Sequence, residues 1–226
     1  CLADVCSKAK GGSMTDRAFG VLRLMREVNI CPDVVTFNSL IDACSKVQGG
    51  ADVPRAFSVL TLMREYGAYP NAVTFNSLID TCSKAPHGAD VDRAFTVLNL
   101  FRDAKICPNV VTFNSLIAAC SRAAGGADGG RASAVLSLMW EANVSPNVVT
   151  FNSLIDACSK ARGGADIQQA FSVVELMNKS GVPPNAITFN SLIDTCSKAA
   201  DGPDVERAVR VLRMMREMHV VPDVMS

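Results

Sequence analysis

From Val34 onward, apolar and polar residues alternate with the period of an α-helix. In "VVTFNSLIDACSK" the residues Phe37, Leu40, Ile41 and Cys44 fall at i, i+3, i+4 and i+7, which is one face of an amphipathic helix. "VQGGAD" comes next, and its paired glycines break that helix. A second amphipathic stretch runs through "RAFSVLTLMREYG", with Ala56, Val59, Leu60 and Met63 on one stripe. Asp33 or Thr36 is expected to cap the first helix and Asp52 the second, with Pro54 tolerated in the second helix's first turn. Gly67 and Pro70 are expected to end it.

The same words then return. Thr36, Thr74, Thr112, Thr150 and Thr188 are spaced by 38 residues each time, and a fixed period of this size marks a repeat architecture. Full units are expected at 34–71, 72–109, 110–147, 148–185 and 186–223, with a partial repeat at 1–33 and the start of a further one at 224–226. Neither helix of a unit can bury its apolar face alone, whereas stacked pairs can. The expected fold is therefore all-α: one array forming a right-handed α-solenoid of stacked helix-turn-helix repeats. The third repeat reads as the weakest, with Gly129 and Gly130 in the first turn of its second helix. "CLADVCSK" aligns with "SLIDACSK" from its first residue, so the array reads as cut from a longer one. Its uncapped ends would expose apolar surface, and self-association through them is an expectation that sedimentation tests. No targeting segment can be read.

A second stripe remains once the core face is assigned. With Asn38 at 0°, Asp42 lies at about +40° and Lys46 at about +80°, while the core residues lie between about −60° and −160°. The stripe of Val35, Asn38, Asp42 and Lys46 recurs. The asparagine is Asn38, Asn76, Asn114, Asn152 and Asn190. Three residues earlier stands an aliphatic residue, Val35, Val73, Val111, Val149 or Ile187. Eight residues later stands a cation, Lys46, Lys84, Arg122, Lys160 or Lys198, matched by Lys8 in the partial repeat. Each unit closes on a polar residue, Asn71, Asn109, Asn147, Asn185 or Asp223. Stacking would turn these into ladders. An amide offers an acceptor and two donors to a base edge, an aliphatic side chain offers a plate to a base face, and a cation offers one phosphate contact. One base per repeat suits single-stranded RNA, whose bases can splay out. The basic residue also fits as a complement to the helix dipole. Asp42, Asp80, Asp156 and Asp194 could pair with the cation four residues on, or orient groups near RNA; Ala118 takes that place in the third repeat.

Composition narrows the function. Basic and acidic residues balance at 22 each, so any basic footprint must be local. No run of 18 apolar residues exists to span a membrane. Of nine cysteines, Cys6, Cys44, Cys82, Cys120, Cys158 and Cys196 share one phase of the repeat. Successive layers of a solenoid stand about one helix width apart, too far for a bridge, so these read as small buried hydrophobes of a reducing compartment. With two histidines and no Cys-x-x-Cys, there is no zinc pattern. No nucleophile–base pair or cofactor motif appears, so no cofactor is expected and the chain reads as a non-catalytic binder. Trp140 and the methionines around Met214 read as surface and core residues rather than special sites.

The order Thr-aromatic-Asn-Ser-Leu-Ile, the following Cys-Ser-Lys, the Arg-Ala and the closing Pro-Asn resemble pentatricopeptide repeats over essentially the whole chain. The units are three residues longer than the family's usual one, and the extra residues fall in the loop between helices, where length is tolerated. The resemblance implies single-stranded RNA bound one nucleotide per repeat, 5′ to 3′ from N- to C-terminus. It implies that the Asn after Thr-Phe and the last residue of the same repeat choose the base together, with the aliphatic residue sandwiching it. Asn38 with Asn71, Asn76 with Asn109, Asn114 with Asn147, and Asn152 with Asn185 would each take C or U; Asn190 with Asp223 would take U. Lys46, Lys84, Arg122, Lys160 and Lys198 match the family's backbone-contacting residue. It also implies a mitochondrion or plastid and a role in RNA processing, stability or translation. The competing reading is a structural or protein-interaction scaffold within a ribonucleoprotein, which would bind protein partners and read no bases.

Overall fold

The computed structural model describes residues 14–200 and 202–220. Among them are eleven α-helices and no strands, arranged as an all-α repeat solenoid. In chain order they are α1 (Met14–Glu27), α2 (Val34–Ser45), α3 (Val53–Glu65), α4 (Ala72–Ser83), α5 (Val91–Asp103), α6 (Val110–Ser121), α7 (Gly129–Glu141), α8 (Val148–Ser159), α9 (Ile167–Lys179), α10 (Ala186–Ser197) and α11 (Val205–Glu217). The chain divides into two compact units, residues 1–108 and 109–226.

In the first unit α2 packs on α1, α3 and α4, and α4 packs on α3 and α5. The face expected from the periodicity is the buried one, save that Leu60 is only half-buried: Phe37, Leu40, Ile41 and Cys44 of α2 are enclosed with Ala56, Val59 and Met63 of α3, on which α2 packs. Phe75 of α4 lies 4.9 Å from Phe101 of α5, ring centre to ring centre. The second unit repeats the plan. Helices α6, α8 and α10 stack directly, each packs on the helix that follows it, and α7 and α9 also pack on the next first helix. Phe113, Phe151 and Phe189 are fully enclosed. Each such side chain contributes about 1.5–3 kcal/mol.

Caps explain why the helices start where they do. Asp33 Oδ1 accepts from Thr36 N at 2.8 Å, so Asp33 is the cap and Thr36 its partner. That backbone N–H, then the Thr36 hydroxyl, hold the Asp33 carboxyl below its ordinary pKa. Every second helix from α3 to α11 starts on an aspartate, Asp52, Asp90, Asp128, Asp166 or Asp204, accepting from the backbone three residues on. Asp128 does so although Gly129 and Gly130 follow it. Gly67 lies in the left-handed region just past α3, where its missing Cβ removes the steric penalty.

The loops between paired helices do more than tolerate extra length. Ala51 N donates to Lys84 O at 2.9 Å in the first unit. In the second, Ala127 N donates to Lys160 O at 2.9 Å and Ala165 N to Lys198 O at 3.0 Å. The inserted residues thus form a backbone rung from one repeat to the next.

Cys44, Cys82, Cys120, Cys158 and Cys196 are buried and unbridged, as their phase implied, while Cys31 and Cys107 are exposed; Cys1 and Cys6 lie outside the described residues. Burial, then the nearby Asp52, Asp90, Asp128 and Asp166 respectively, push the thiols of Cys44, Cys82, Cys120 and Cys158 up from 9.0 to about 12. The pKa is raised in the folded state, so stability is intact below pH 9. It is lost as the pH rises from 9 to about 12, where the unfolded chain ionises first, at about 1.4 kcal/mol per pH unit for each thiol. Urea midpoints measured at pH 8 and pH 10.5 should differ accordingly. At pH 8 a thiol reagent should label Cys31 and Cys107 before the five buried cysteines.

Candidate nucleic-acid interface

The stripe left over by the core lies on the first helix of each pair. In the first unit, Val35 and Val73 sit in the first turns of α2 and α4; in the second unit, Val111, Val149 and Ile187 sit in those of α6, α8 and α10. All five are more than half exposed, at 51–60 %. A valine on an amphipathic helix normally faces the core, so five repeats place an apolar plate in solvent at the same position. Asn38, Asn76, Asn114, Asn152 and Asn190, one turn further along, are half-buried.

The asparagines are tightly placed. Thr74 Oγ1 donates to Asn38 Oδ1 at 2.7 Å in the first unit. In the second unit Thr150 does the same for Asn114, and Thr188 for Asn152, both at 2.7 Å. The closing asparagines have a structural role that sequence reasoning missed. Asn71, Asn109, Asn147 and Asn185 are the N-caps of α4, α6, α8 and α10, each locked in a reciprocal capping box with the threonine three residues on. The signal was present, since Asn-x-x-Thr before an apolar run is a capping pattern. The cap brings the two members of a pair together: Asn114 Nδ2 lies 3.4 Å from Asn147 Oδ1, and Asn152 Nδ2 lies 3.4 Å from Asn185 Oδ1.

The cations stand at the C-caps of the first helices. Lys46, Lys84, Lys160 and Lys198 each pair with the aspartate four residues earlier, at 2.6–2.7 Å and about half exposed. Both sequence-level readings of the aspartate and the cation are thus compatible with one geometry, because such exposed helix pairs are worth only about 0.3–0.5 kcal/mol. Arg122 is exposed and follows Ala118 instead of an aspartate. Lys8 and Asp223 lie outside the described residues. Among the described residues no cluster of His, Cys, Asp and Glu could hold a metal ion, and no helix is long and apolar enough to cross a membrane.

A family model described as "Pentatricopeptide repeat-containing protein" matches residues 5–127. Another, "Pentacotripeptide-repeat region of PRORP", matches residues 117–226. No curated protein matches the chain. Among solved structures, the pentatricopeptide repeat protein PPR10 from maize is similar at 26 % identity and a TM-score of 0.72, over 94 % of this chain and 28 % of that one. The chain therefore spans less than a third of that protein. PPR10 in complex with an 18-nt psaJ RNA element matches 99 % of this chain and 36 % of that one, at 23 % identity and a TM-score of 0.64. The PPR domain of Arabidopsis thaliana protein-only RNase P 1, in complex with tRNA, matches 84 % of this chain and 93 % of that one, at 20 % identity and a TM-score of 0.61. At these last two identities the match concerns the fold alone.

Proposed function

The chain belongs to the pentatricopeptide repeat family, and on that premise we propose that it binds single-stranded RNA sequence-selectively, one nucleotide per repeat. The observation that carries this reading is the repeated pairing of an exposed aliphatic side chain with a half-buried, hydrogen-bonded asparagine one turn away. The first can lie against a base face and the second can address its edge. The base-reading pairs are Asn38–Asn71 in the first unit and Asn114–Asn147, Asn152–Asn185 and Asn190–Asp223 in the second, and Asn76 and Asn109 are base-reading residues of the same kind. Val35, Val73, Val111, Val149 and Ile187 sandwich the bases, and Lys46, Lys84, Arg122, Lys160 and Lys198 meet phosphates, with Lys8 in the same role. The target is a pyrimidine run of C or U four times and then U, with its 5′ end toward the N-terminus. The setting is organellar RNA processing, stability or translation, in a mitochondrion or plastid. The mechanism is occupancy: the bound segment is sequestered, exposed or presented to a protein partner.

Binding to oligo-C, oligo-U, oligo-A and oligo-G at two salt concentrations tests the proposal. The expected result is a preference for the two pyrimidines. Equal binding to all four would leave a backbone-only contact, and no binding would leave the scaffold reading.

A further inference from the structure

We propose that Thr74, Thr150 and Thr188 are specificity-determining positioning residues: each ties together the two asparagines that read one base, so that only amide N–H groups face the nucleotide. This rests on the base-reading function proposed above, and it assigns those threonines a role beyond starting a helix.

Each threonine is fully buried and belongs to the repeat after the pair it holds. Thr74 Oγ1 lies 2.7 Å from Asn38 Oδ1, 3.1 Å from Asn71 N and 3.1 Å from Asn71 Oδ1. Thr150 stands at the same three distances from Asn114 and Asn147, and Thr188 from Asn152 and Asn185. A hydroxyl has one proton. It accepts the backbone N–H of the closing asparagine, and its own proton goes to the nearer acceptor, the carbonyl oxygen of the reading asparagine. The closing asparagine's Oδ1 is held by the threonine's backbone N–H at 3.0 Å. Both carbonyl oxygens therefore face inward, and the direction of each amide is determined by the donor it meets.

What is left for a base is a set of N–H donors. Such a pair favours an edge with adjacent acceptors, as O2 and N3 of cytosine, and can reach O2 or O4 of uracil. The corresponding edge of adenine sets an amino donor beside N1. An unheld asparagine can turn its amide over, offer an acceptor instead and tolerate that donor. The buried hydroxyl prevents the turn, so its contribution falls on discrimination and not on gross affinity.

The test replaces the hydroxyl by a methyl of the same size. In Thr74→Val/Thr150→Val/Thr188→Val the ratio of oligo-C to oligo-A affinity should fall about threefold for each threonine, with the salt dependence unchanged because no phosphate contact is touched. The triple serine variant, which keeps the hydroxyl, should restore the ratio. If the triple valine variant melts below the assay temperature, the single variants Thr74→Val and Thr150→Val carry the same expectation. An unchanged ratio, or an equal loss toward all four oligonucleotides, overturns the assignment. A wild-type chain with no preference overturns both this and the base-reading function, whereas a preference that the valine variants keep overturns this alone.

Discussion

Substituting Lys46, Lys84, Arg122, Lys160 and Lys198 together by glutamine should lower affinity for a pyrimidine oligonucleotide on the order of a hundredfold, five contacts at roughly half a kcal/mol each. The salt dependence is the sharper readout. Each phosphate neutralised on a single strand contributes about −0.7 to the log–log slope, so five give about −3.5, and the variant should be nearly flat. The four lysines now face carboxylates at 2.6–2.7 Å, but exposed pairs of this kind exchange partners at little cost. The same aspartates lower the local potential. Asp42→Asn, Asp80→Asn, Asp156→Asn and Asp194→Asn should therefore raise affinity, the reverse of the glutamine variant. Anisotropy titrations across a range of salt measure both, and a slope unchanged by the glutamines would put the phosphate contacts elsewhere.

Gly164→Ala should destabilise the second unit by roughly 3 kcal/mol, and Gly163→Ala, one residue earlier, by about 1–2 kcal/mol. Both glycines have positive φ, +120° and +85°. They differ in what a side chain would meet. A Cβ on Gly163 finds open space, whereas one on Gly164 would stand 2.6 Å from Ala200 Cβ and 2.8 Å from Ala200 Cα. The close approach is what allows Ala165 N to reach Lys198 O, so the substitution strains the turn and loosens the rung between repeats at once. Urea unfolding of the two variants side by side checks the difference; equal losses would show that backbone conformation alone matters there.

Much of the core and the caps could be read from single repeats. The buried face of α2, with Phe37, Leu40, Ile41 and Cys44, follows from spacing, because each repeat meets neighbours like itself. The aspartate caps of the second helices follow from local backbone chemistry, since an N-cap needs only the next three residues. The candidate site was legible as columns: the positions that recur without serving the core are those that stand exposed or half-buried along the first helices. The closing asparagines were read as base-facing only, although the same local chemistry makes them caps.

The amino-acid sequence by itself determined the repeat, the two helices of each unit, the face they bury and the columns of amides, valines and cations, because all of these depend on spacing within a single unit. Only the tertiary structure decided that the loops join by backbone rungs and that one buried threonine gathers the two asparagines of the repeat before it. The rungs and the bond from each threonine to the earlier asparagine connect residues 33 to 36 positions apart, and their existence depends on the distance between stacked backbones, which no periodicity along the chain encodes.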